Sequence, residues 1–178
     1  EYGRDYDVSK SFFEQYKELM LAVPWPSRDI QRLVNSDYSN QANDLKNCYL
    51  VFNTAGAENC LYGVAALQIR DSMDYYFCGK SELCYEVMNI ENCFNNFFSI
   101  DTSNCRNVWL SRDCHDCGDC FGCANLRSKQ YHIFNQPYTK EEYKEKIKAM
   151  NLGSYADLQR VKDEAHAFWK TQPYRHAH

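Results

Sequence analysis

At 178 residues the chain is long enough to bury a core of ordinary size without help from metals or disulfides. Lys and Arg number 20 against 24 Asp and Glu, a net charge of −4, so there is no basic excess of the kind that draws a protein to nucleic acid or an anionic membrane. The longest apolar run, Leu19 to Pro24, is far short of the roughly 20 residues of a membrane helix and is broken by Pro24 and Pro26, so the totals predict a soluble domain with neither kind of partner.

The start at Glu1, without methionine or a secretory pattern, reads as a processed form or a piece of a longer protein. Ten cysteines in a chain longer than the usual disulfide-dependent mini-domain favour reduced thiols, and with them a cytoplasmic setting. The first predicted element is a helix over residues 10 to 22, with Phe12, Phe13, Tyr16, Leu19 and Met20 on one face and Pro24 as its stop.

An internal repeat follows. Asn or Asp precedes Cys at Asn47-Cys48, Asn59-Cys60, Asn92-Cys93, Asn104-Cys105, Asp113-Cys114 and Asp119-Cys120, with degenerate copies at Ser72-Met73 and Leu83-Cys84. Aligning Cys48, Met73, Cys93 and Cys114 as equivalent, and Cys60, Cys84 and Cys105 as the interleaved set, predicts a short parallel β-helix of three to four coils, with about 20 to 25 residues and two copies of the unit in each coil. Strand alternation within a unit puts Cys48, Leu50 and Phe52 inward, and the Asn or Asp before each cysteine suits a corner, because those residues tolerate a left-handed backbone.

The same alternation turns Tyr49, Val51, Tyr76, Tyr85, Val87, Phe94, Phe98 and Val108 outward, too many large apolar groups to stand bare. Their cover is expected to be the chain's own helical ends, with a partner or a homodimer contact as the alternative.

Past the repeat, Thr139 and Glu142 form a capping box for a helix carrying Tyr143, Ile147 and Met150 that ends near Gly153. Ser154 opens another, with Leu158, Val161, Ala165, Phe168 and Trp169 inward, stopping before Pro173. The chain thus divides into an N-terminal helical cap and linker (1–37), a cysteine-rich β-solenoid (38–135) and a C-terminal helical cap (136–178).

The densest chemistry lies at Cys114, Cys117, Cys120 and Cys123, each three residues from the last, with His115 beside the first. Four thiolates, or three with His115, would complete a tetrahedral zinc site. An iron–sulfur reading fits less well, because two residues rather than three separate the third and fourth cysteines and Ala124 follows the fourth. Against any metal, Cys114 and Cys120 are in phase with the inward cysteines of earlier units, which favours a stacked ladder of small buried thiols. Stacked rungs would also let a pair such as Cys84 and Cys105 join as a disulfide in an oxidising compartment.

Other chemistry is thin. Cys114 and His115, as neighbours on a strand, point to opposite faces, and His132, His166, His176 and His178 read as surface or tail residues. Asp74, Glu86 and Asp116 do not share one repeat phase, although Glu86 and Asp116 do. Residues 125 to 129 form a basic stretch too short for more than a local anion contact.

The segment Cys120-Phe-Gly-Cys-Ala-Asn-Leu-Arg127, with Lys129-Gln-Tyr-His-Ile-Phe-Asn135, Tyr138-Thr-Lys-Glu-Glu-Tyr143 and the opening Tyr2-Gly-Arg-Asp-Tyr-Asp-Val-Ser-Lys, resembles an uncharacterised family of bacterial cysteine-rich repeat proteins. The resemblance implies an internal fragment of a longer protein, since such proteins often carry zinc-ribbon-like Cys-x-x-Cys knuckles ahead of this region; it implies no activity. Met73 and the absence of Cys-x-x-Cys in the early coils depart from the pattern.

The reading with most support is a non-enzymatic binding or structural module presenting a Tyr- and Asn-rich face to a protein or glycan partner, with zinc the one candidate cofactor and no catalytic residue assigned. The alternative is an enzyme, either a carbohydrate-active β-helix or a metal-dependent hydrolase.

Overall fold

The structure, a computed structural model, describes residues 2–174. It is a parallel β-solenoid of about nine turns, with helices towards both ends of the chain. The strands run β1 (Ile30–Val34), β2 (Asn40–Lys46), β3 (Tyr49–Glu58), β4 (Leu61–Arg70), β5 (Met73–Glu91), β6 (Phe94–Phe97), β7 (Ile100–Ser103), β8 (Arg106–Trp109), β9 (Gly118–Phe121), β10 (Gln130–Ile133) and β11 (Gln136–Pro137). The solenoid therefore opens at Ile30, earlier than the boundary at residue 38 drawn from sequence.

Asn40 pairs with Phe52, Tyr49 with Leu61, Leu61 with Met73 and Arg106 with Gly118, so one coil is 12 residues. That corrects the expected 20 to 25, which spans two coils: the residue equivalent to Cys48 and Cys60 is Ser72, not Met73. The repeat within the coil is also three residues rather than two. Every third residue from Arg32 to Phe134 has a left-handed φ, between 44° and 68°, and turns one of four corners. The residue after each corner faces inward, so Cys48, Val51, Thr54 and Ala57 line a single coil. Val51, Val87 and Val108, expected outside, are buried, whereas Leu50 and Phe52 face out.

A left-handed corner costs an ordinary L-residue about 1–2 kcal/mol, and Asn, Asp and Gly least. More than half of the corners carry one of those three. Their amides also join coil to coil: Asn35 donates to Asn47, Asn47 to Asn59 and Asn59 to Asp71, while Asn92 donates to Asn104 and Asn104 to Asp116. Each chain stops at an aspartate, which accepts and has no proton to pass on.

The inward positions solve a second problem, since their own backbone N–H groups point into the core. The hydroxyl twelve residues earlier accepts them: Ser36 from Cys48, Thr54 from Ala66, Ser72 from Cys84, Ser81 from Cys93, Ser111 from Cys123, at 3.0–3.3 Å. The same hydroxyls donate to the carbonyl two residues back, as Ser72 does to Arg70 at 2.7 Å. Bulk is admitted where a neighbour is missing. The ring of Tyr75 lies over Gly63, where an added Cβ would come within 1.9 Å of Cζ.

At the C-terminal end Asn135 stands in for a further strand, its side chain bonding both the N–H and the carbonyl of Ala124. Helix α2 (Lys140–Ala149) carries the expected Thr139–Glu142 capping box, and α3 (Tyr155–Thr171) starts at the Ser154 cap. The pair packs against the side of the solenoid rather than over its end: Val161 and Ala165 join Leu110, Phe121 and Ile133 in one core. The N-terminal helix α1 (Phe12–Ala22) buries no residue.

The fit at Gly63 is open to test: Gly63→Ala should cost about 1–3 kcal/mol in chemical denaturation by overpacking, and the loss should shrink when Tyr75→Ala is combined with it.

Candidate functional site

Cys114, Cys117, Cys120 and Cys123 occupy the four inward positions of one coil, all buried, so their spacing of three is the spacing of the fold. Each thiol turns to the carbonyl two residues back, at 3.5, 3.2, 3.3 and 3.3 Å respectively. His115 is not among them; it faces outward, as the alternation between neighbours required. The expected zinc set of Cys114, Cys117, Cys120, Cys123 and His115 is therefore not assembled, and among the described residues no three of His, Cys, Asp or Glu are disposed to hold a metal.

All ten cysteines are free, buried thiols, and all ten repeat the serine pattern. Cys60, for example, donates to the Glu58 carbonyl at 3.2 Å while its sulfur accepts the N–H of Ser72. The thiols stack by twelve as Cys48 on Cys60 and as Cys93, Cys105 and Cys117. Cys84 stacks on Asn96 and not on Cys105, so the disulfide pair considered from sequence is not a vertical neighbour.

Stacking sets the acidity. The thiol of Cys60 holds Cys48 down to about 6, and that of Cys105 holds Cys93 down to about 7. Cys78 and Cys84 have no such thiol donor, and burial pushes both up to about 12. The neighbouring thiols of Cys105, Cys114 and Cys120 hold Cys117 below the ordinary thiol range against burial, and those three are pushed up in turn.

On the outside, the structure brings His115 to residues that sequence reasoning missed. Nδ1 lies 2.5 Å from Ser103 Oγ, one coil away, and Nε2 lies 3.0 Å from Asp113, which also accepts from Arg127. The twelve-residue step from Ser103 to His115 was the available signal. The trio lines an open cavity of about 540 Å³ with Arg112 and Asn125, and those two donate to the Pro173 carbonyl. A Ser–His–Asp chain suggests acyl transfer, but that chemistry needs N–H donors for an oxyanion. The N–H of Ser103 goes to Cys114, that of Asn104 to Glu91, that of His115 to Leu126 and that of Asp116 to Ser103, so the backbone offers none here. The Ser103–His115 contact joins one coil to the next.

The carboxylates fall differently from expectation. Asp74 and Glu86 share a corner column one coil apart, whereas Asp116 lies on another corner and accepts from Asn104. Glu86 is tied to Lys162 at 2.7 Å. His132 stacks above Cys120 in β10, His166 is exposed on α3, and His176 and His178 lie outside the described residues.

The remaining surface feature is an apolar wall along one side of the coils. Its C-terminal stretch, including Trp109, Leu110 and Phe121, is covered by α2 and α3. Its N-terminal stretch is bare, with Tyr38, Tyr49 and Tyr62 exposed, and beyond the corner Phe52, Val64 and Tyr76 form a second exposed column.

No protein-family model matches the chain, and no curated protein matches it.

The structural account of the thiols makes two measurable claims. Cys60→Ser should retain both bonds and lose less than about 1 kcal/mol, whereas Cys60→Ala should lose about 1–3 kcal/mol in urea unfolding. In a thiol-reagent assay without reductant the native protein should react at none of its ten cysteines within minutes and at all ten once denatured; fewer than ten after denaturation would reveal disulfides.

Proposed function

We propose that the chain is a non-enzymatic binding module whose bare apolar wall receives an amphipathic helix from a protein partner. One observation carries this reading: the wall is continuous, and the half that is covered is covered by a helix. Along it, α3 places Val161 and Ala165 against the coils and reaches Lys162 across Phe98, 4.1 Å above the ring, to Glu86. The open half continues that surface in earlier coils, with Tyr62 three coils before Phe98, Tyr49, Leu61 and Met73 in the column of Trp109 and Phe121, and Asp74 one coil before Glu86. Contiguous exposed aromatic side chains such as Tyr38, Tyr49 and Tyr62 are the kind of surface that marks an interaction site.

The probe is the chain's own α3 sequence as a labelled peptide, residues 154–172, titrated into the full chain. Saturable binding with a dissociation constant on the order of 1–100 μM is expected, weakened about tenfold or more by Tyr62→Asp. No saturation up to about 1 mM would overturn the proposal, as would binding of a soluble oligosaccharide at the same face when no helical peptide binds.

A further inference from the structure

Each coil is joined to the one before it by two sets of backbone bonds. A corner N–H donates to the carbonyl thirteen residues earlier, as Asn47 does to Val34 and Asn59 to Lys46, and an inward carbonyl accepts from the N–H eleven residues earlier, as Cys60 does from Tyr49. The first coil, residues 30–41, has no coil before it to meet either set. Its corners are Arg32, Asn35, Tyr38 and Gln41, and its inward residues are Ile30, Leu33, Ser36 and Ser39. The Asn40 side chain takes the N–H of Gln41 at 2.9 Å, but the N–H groups of Asn35 and Tyr38 and the carbonyls of Ser36 and Ser39 have no partner among the described residues. The core is open at the same place: Ile30 and Leu33 are half-buried, whereas Ala42 and Leu45, one coil later, are buried. At the other end of the solenoid Asn135 meets the N–H and carbonyl of Ala124, and β11 pairs with β10. We infer that the N-terminal edge is an interface for the same edge of a second copy, the two solenoids meeting head to head.

The edge is complementary to itself. A row of unmet N–H and carbonyl groups is a template for another strand, and here donors and acceptors alternate so that a two-fold axis, set perpendicular to the solenoid at Val34, pairs them all. The two β1 strands then run antiparallel, with the N–H of Asn35 donating to the carbonyl of the partner's Leu33, that of Arg32 to the partner's Ser36 and that of Tyr38 to the partner's Ile30, each bond made twice. The side chains favour this register over the others that a four-cornered coil allows. Val34, 54% exposed, meets its own copy on the axis, and Arg32 comes beside the partner's Asp37. The half-buried Ile30 and Leu33 of each copy close the open core of the other. Because the C-terminal edge is already met, head-to-tail stacking is blocked and the assembly closes at two. The interface lies across the end of the coils and does not depend on helix binding at the aromatic wall.

Sedimentation equilibrium of the full chain tests this, with amide hydrogen exchange reporting on the edge itself. The expected species is a dimer of twice the 21.0 kDa chain, with a dissociation constant on the order of 10–100 μM. The amides of Asn35 and Tyr38 should exchange about threefold or more slowly at about 300 μM than at about 3 μM, as the edge becomes paired. Arg32→Asp or Asp37→Arg alone should weaken association about tenfold or more, because each sets like charges together at two symmetry-related places. Mixing the two variants should restore a heterodimer, in which both places carry opposite charges. Both residues are exposed, so circular dichroism and the unfolding midpoint should be unchanged in either variant. A wild-type chain that stays monomeric at about 300 μM, a dimer whose Asn35 and Tyr38 amides exchange as fast as in the dilute chain, a dimer indifferent to both substitutions, or no heterodimer on mixing overturns the inference.

Discussion

The structure depends on a backbone N–H that has nowhere to go but inward. When every third residue adopts a left-handed corner, the other amides pair along the axis, and that of the inward residue points at the side chain twelve residues earlier. In a dry interior an unmet N–H costs about 1–3 kcal/mol. The coil is too narrow for a long polar side chain, so the residue below meets this N–H only where it is small and carries an atom that accepts it while its own proton goes to a nearby carbonyl. Serine, threonine and cysteine meet that requirement, and they interleave with Ala, Val and Ile along the same columns. The cysteine content thus follows from a hydrogen-bond requirement of the backbone, with thiols adding polarisable bulk that serines lack.

Because the interior is consumed by this task, the outer faces are where chemistry is free to vary. One carries the amide chains, another alternates charge, as Lys46, Glu58 and Arg70 do on successive coils, and a third is the aromatic wall. The His115 cluster shows how such stacking brings Ser, His and Asp together. Residues one coil apart lie about 4.8 Å from each other at the backbone, so polar side chains in a column meet at hydrogen-bonding distance whatever their role.

The sequence was most legible where local rules act alone. Ser11, Thr139 and Ser154 cap their helices, and Pro24 and Pro173 follow two of the ends. The solenoid itself and its Asn and Asp corners were legible from the Asn-Cys pairs. The coil was not, because strand alternation is the usual rule for inward residues, and a backbone with one left-handed residue in three replaces a period of two with a period of three. Under the wrong period Val51 falls outside, Asp74 and Glu86 fall out of phase, and Ser72 is overlooked beside Met73. The cysteine run from Cys114 to Cys123 was legible as a feature and ambiguous in meaning, since a spacing of three serves a metal knuckle and a three-residue side equally well.

The twelve-residue closure also governs how such a chain tolerates insertions and deletions. Loss or duplication of a whole coil, for example residues 83–94, leaves every downstream residue on its own face and only shortens or lengthens the rod. A change of one or two residues exposes the thiol column and forces Val and Ile into left-handed corners, which destroys the fold beyond that point. A change of three lies between these extremes. It keeps the interior filled, yet rotates everything downstream by a quarter turn, carrying the aromatic wall out of line with itself and out from under α3. Folding is therefore indifferent to an error that recognition would register at once.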